Sequence, residues 1–143
     1  MSNPKRQRKR IAPPPPTQGK IALHAASDTP DSLLFPSFTL KNLARSYCIS
    51  LCTRDEKAGF ANTVHVLSQM SWAQIHSSDR HGSGCERLAR SRVNAAVTNR
   101  IPKDANIYAF RFYRLAAMVG YKGEHGIFFV VGFDRNFAMY DHA

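Results

Sequence analysis

A chain of 143 residues is enough for one domain with a sizeable core, and a hydrophobic content of 43% excludes a wholly disordered polymer. Twenty Lys and Arg against ten Asp and Glu give a net charge of +10, which favours a polyanionic partner: RNA, DNA or an acidic protein. No stretch approaches the roughly 20 apolar residues that span a bilayer, so no membrane partner is expected.

Residues 1–36 differ in kind from the rest. They hold seven of the eight prolines, including Pro13 to Pro16, and a basic run from Lys5 to Arg10. Such a segment cannot bury enough apolar surface to offset its conformational entropy, so a disordered, basic, proline-rich tail is expected. The basic N-terminus lacks the apolar segment of a secretory signal. The basic run also reads as a nuclear import signal or, more simply, as a phosphate-touching tail. The tail carries six basic and two acidic residues, whereas 37–143 carries fourteen and eight. The expected domain, 37–143, is therefore basic in its own right.

Within it, Ser37 to Lys41 reads as a first strand. Thr53-Arg54-Asp55-Glu56 has the form of a capping box, in which each side chain satisfies a backbone donor that a helix start leaves orphaned. Phe60, Val64 and Leu67 follow at helical spacing and predict a buried stripe. Ser71 predicts the cap of a second short helix through Ile75, with Trp72 under the junction. Cys85 to Ile101 fits two descriptions, a helix stripe (Leu88, Ala89, Val93, Ala96, Val97) or a strand and loop. From Ile107 the pattern changes. Ile107–Tyr113, Leu115–Tyr121 and Ile127–Phe133 read as strands, with turns at 123–126 and 134–136 and a last strand from Phe137 to His142. Helices first and strands second predict an α+β fold, with N-terminal helices packed on an antiparallel meander.

Strand alternation sorts the last residues into two faces. With Phe110, Phe112, Phe137 and Met139 in the core, Arg111, Tyr140 and His142 emerge together on the other side. A cation, an aromatic ring and a titratable imidazole suit a phosphodiester; the same residues also make an ordinary surface. A second cluster runs from Arg80 through Arg92. Gly82 and Gly84 would let a backbone approach a ligand among Arg80, His81, Arg87, Arg90 and Arg92, with Glu86 as the lone carboxylate. Its spacing is not that of a P-loop, and a solvated basic loop is the plainer description. Cys48, Cys52, Cys85, His76 and His81 offer soft metal ligands but lack paired zinc spacing, so no metal is expected. The odd cysteine count without an export signal predicts reduced thiols and a cytoplasmic protein.

The order of features resembles the RelE/YoeB-like superfamily of toxin ribonucleases. A helical region ends near Trp72, and Gly82-Ser83-Gly84 leads into Cys85-Glu86-Arg87-Leu88. An arginine-bearing strand, a hairpin and Tyr140-Asp141-His142 follow. The resemblance covers about residues 37–143 and implies a compact α+β protein that cleaves messenger RNA, usually on the ribosome, and is held by an acidic antitoxin. It implies Glu86 as a catalytic carboxylate, Arg111 at the scissile phosphate, and Tyr140 and His142 as the aromatic and imidazole groups. Arg92 or Arg114 would share the phosphate charge. The attacking 2′-hydroxyl belongs to the RNA, so the expected endoribonuclease is metal-independent and needs no cofactor. A non-enzymatic RNA- or DNA-binding protein using the same basic face and tail is the alternative.

Overall fold

The computed structural model describes residues 30–78 and 84–141. The chain divides into two units, Met1–Pro30 and Asp31–Ala143, and the fold is that of the second. The expected disordered tail through residue 29, together with Arg80, His81 and His142, lies outside the described residues.

The unit is α+β. Strands β1 (Ser37–Thr39), β2 (Glu86–Leu88), β3 (Asn106–Tyr113), β4 (Ala116–Lys122) and β5 (Ile127–Asp134) form one sheet in the order β1-β5-β4-β3-β2. Three pairings are antiparallel, but β1 runs parallel to β5, with Ser37 opposite Ile127. The sheet is therefore mixed rather than an antiparallel meander, and a strand precedes the helices. The expected first strand is present as Ser37–Thr39, but its parallel pairing with a partner ninety positions on leaves no local signature.

Helix α1 (Arg54–Leu67) begins with the expected capping box. The Glu56 N–H donates to the Thr53 hydroxyl, and the Thr53 N–H donates to the Glu56 carboxylate. Leu67 is buried, and Phe60 and Val64 pack half-buried on the same core. Helix α2 (Trp72–Ser77) is capped likewise by Ser71 with Gln74. Trp72 is 0% exposed. Its indole N–H donates to the Gly126 carbonyl, and its backbone N–H to that of Leu34. Gly126 sits at φ 76° directly under Leu34 and the indole, a conformation and a space that admit no larger residue cheaply.

The first face of the sheet packs Tyr108, Phe110, Phe112, Met118, Phe128, Val130 and Phe133 against α1 and α2. At the edge, β2 accompanies β3 only as far as Ala109, and α1 approaches the remainder. A Cβ on Gly59 would lie 2.4 Å from the Phe112 carbonyl oxygen. A glycine lets the helix lie against an edge that would otherwise present open backbone groups.

The second face is covered too. Residues 85–101 resolve into short pieces: β2, a 3-10 turn at Arg90–Arg92 and helix α3 (Ala95–Thr98). Leu88, Val93, Val97 and Ile101 pack with Ile107, Ala109, Val119, Val131, Met139 and Tyr140 in a second core. The expected last strand, Phe137 to His142, is absent over its described residues. Asp134 accepts the Ala138 N–H, and Phe137 adopts φ 57°. That turn breaks the extended run. Phe137 is 50% exposed rather than core, and Met139 is buried on the face opposite α1 and α2. Only Tyr140 pairs, as a single antiparallel bridge with Val93.

Candidate nucleic-acid interface

Register decides which polar groups meet. Glu86 lies opposite Ala109, and Leu88 opposite Ile107. Leu88 and Ala109 belong to the second core, so alternation puts Glu86 on that face and Arg87 on the first. Arg111 follows Ala109 by two residues and pairs with Ala117, another second-core residue. It therefore shares a face with Glu86, in the diagonal relation that long side chains span.

Arg92, at the end of the 3-10 turn, joins them. Its guanidinium lies 3.8 Å from the Glu86 carboxylate, with side chains 30% and 22% exposed. It also donates to the Asp141 carbonyl. The C-terminal segment is laced to the same turn by main-chain bonds: Asp141 N–H to Arg92 carbonyl, 2.8 Å, and Asn94 N–H to Met139 carbonyl, 2.7 Å. Glu86 and Arg92 thus meet at the rim of one face, beside residues 139–141, and register puts Arg111 on the same face. Such a set can bind a phosphodiester and offers a carboxylate oxygen to a nearby hydroxyl proton.

The other expected site residues divide. Tyr140 stands beside this rim but is 7% exposed and packed in the second core, so its ring is accounted for by burial. Arg90 donates to the Thr98, Ile101 and Pro102 carbonyls at the end of α3, which engages its guanidinium in the fold. Arg114 is exposed at the β3–β4 turn, over the Tyr113 ring at 5.1 Å. Arg87 is exposed on the first face, donating to the Asn106 side chain. Arg80, His81 and His142 lie outside the described residues.

Among the described residues, no three His, Cys, Asp or Glu side chains gather as metal ligands. Among the described ones of the weighed ligands, His76 and Cys85 meet, Nδ1 to Sγ at 3.6 Å. Burial pushes the Cys85 thiol up to about 11, so it is no thiolate nucleophile near neutrality. Sequence reasoning missed Lys122, which the β3–β4 register sets opposite Asn106. Its position at the end of an apolar run gave no sign of that. Among the described residues, no helix is long and apolar enough to cross a membrane.

No protein-family model, curated protein or solved structure matches the chain.

Proposed function

We propose that this chain is a RelE/YoeB-like toxin that binds RNA and cleaves it without a metal, acting on messenger RNA in the cytoplasm, with the ribosome as the natural setting. One observation carries the reading: Glu86, Arg92 and Arg111 share a face at the rim formed by β2, β3 and the C-terminal segment. In the reaction, Glu86 takes the proton of a ribose 2′-hydroxyl. The 2′-oxygen attacks the adjacent phosphorus, and the bond to the 5′-oxygen breaks, leaving a 2′,3′-cyclic phosphate. Arg111 and Arg92 offset the charge that builds on the phosphoryl oxygens. His142, one residue beyond Asp141 in the chain, supplies the proton to the departing 5′-oxygen. An acidic antitoxin that covers the basic rim would silence it.

The test is cleavage of RNA in excess chelator, with the ends mapped, with and without ribosomes. His142→Ala is expected to lower the cleavage rate by about 10² to 10⁴, the range for a positioned proton donor, with little change in affinity. Arg111→Ala is expected to weaken both, since it removes a cation from the phosphate. Wild-type protein that binds RNA tightly yet leaves it intact under both conditions would sink the nuclease and leave a binding module.

A further inference from the structure

The same sheet edge carries a second polar cluster on its first face. His76, exposed in the last turn of α2, lies with its ring centroid 5.6 Å from Trp72 and 5.3 Å from Tyr108. Lys122 Nζ stands 4.8 Å from the centroid of the Trp72 ring. Arg87 sits opposite Tyr108 and holds the Asn106 side chain at 2.7 Å, and Asn106 sits opposite Lys122. Among the described residues, no carboxylate is ion-paired with Arg87 or Lys122. Two cations and an imidazole are therefore displayed together, over buried aromatic rings that fix their positions.

We propose that His76, Arg87 and Lys122 form a second RNA contact, taking a backbone phosphate on the two cations with the imidazole as hydrogen-bond donor. This rests on the RNA-binding half of the reading above and not on the cleavage chemistry. β2 is the edge strand of the sheet, with Glu86 toward one face and Arg87 toward the other. A strand of RNA rounding that edge touches both clusters.

Cys85 Sγ lies 3.6 Å from His76 Nδ1, so Nε2 is the ring nitrogen that turns to a phosphate. Burial holds His76 below its usual range, and Lys122 on β4 and Arg87 on β2 push the same way. Among the described residues, Tyr108 on β3 and the Cys85 thiol are the other titratable groups against it, and both are raised by burial and stay neutral. A phosphate bound at the two cations offsets them, so it raises the pKa of His76, and binding strengthens as pH falls through that range.

The probe is a labelled single-stranded 2′-O-methyl oligoribonucleotide, which binds but lacks the attacking hydroxyl. Affinity is read against salt, and the His76 ring protons are followed against pH by NMR. Arg87→Ala and Lys122→Gln are each expected to reduce the salt slope, and together to reduce it by about 0.7, one phosphate contact on a single strand. Lys122→Arg should restore it, and Lys57→Ala, on exposed α1 surface, should leave it in place. The His76 titration midpoint should rise when the oligonucleotide is bound. Unchanged slopes in both variants, or an unmoved His76 midpoint under saturating oligonucleotide, would overturn the second contact while leaving the cleavage assay to stand alone. Wild-type protein that ignores the oligonucleotide would overturn it as well. The expected slopes without any cleavage of natural RNA would support the contact and remove the nuclease.

Discussion

Glu56 does two jobs. It closes the capping box of α1, and one of its oxygens accepts from Arg135 Nε at 2.6 Å, tying the helix start to the end of β5. Against the burial that opposes it, bonding from Thr53 and Arg135 holds its carboxyl below the usual range. A carboxyl depressed in the folded state stabilises above its unfolded pKa, and that stability drains away as pH falls through the folded pKa. Glu56→Gln keeps an acceptor for the Thr53 N–H but loses the charge. The expected cost near neutrality is about 1 kcal/mol, discounted because Arg135 is partly exposed. Urea unfolding of both proteins should show the gap closing in acid. A gap that persists unchanged at low pH would mean that packing, and not charge, carries the effect.

Local signals account for the elements that came through from sequence, and non-local pairing for those that did not. Thr53 with Glu56, Ser71 before Trp72, and the Phe60–Val64–Leu67 stripe are decided within a few residues, and each recurs in the fold. Residues 85–101 resisted because Leu88, Val93 and Val97 serve a strand, a loop and a helix in succession while all facing one core. Of the site, strand parity alone held Arg111 on the face opposite Phe110 and Phe112. The company of Glu86 and Arg92 depends on register, which no single strand encodes. The clearest consequence at this scale concerns the covered second face. Met139→Ala is expected to cost about 2–5 kcal/mol, the range for truncating a buried methionine, because Met139 is 0% exposed and lies against Gly132 and its core neighbours. Denaturant midpoints measure it. A cost near zero would mean that Met139 is not packed in the second core.

At the scale of the whole chain, charge is divided between the folded unit and the segment before it, since six of the twenty Lys and Arg precede residue 30. Deleting residues 1–29 is expected to weaken RNA binding and flatten its salt dependence while the rim on the second face keeps its own contribution. Anisotropy titrations at several salt concentrations measure this, and a deletion with an unaltered slope would show that those six cations never touch phosphate. The pairing of β1 with β5 has a further consequence, for the order of synthesis. Ser37 waits for Ile127, and β5 lies between β1 and β4 and lends Phe128, Val130 and Phe133 to one core and Val131 to the other. A chain still growing through β4 has neither core complete, and the closure entropy of the long loop falls due before its reward. Folding is thereby deferred until β5 has emerged.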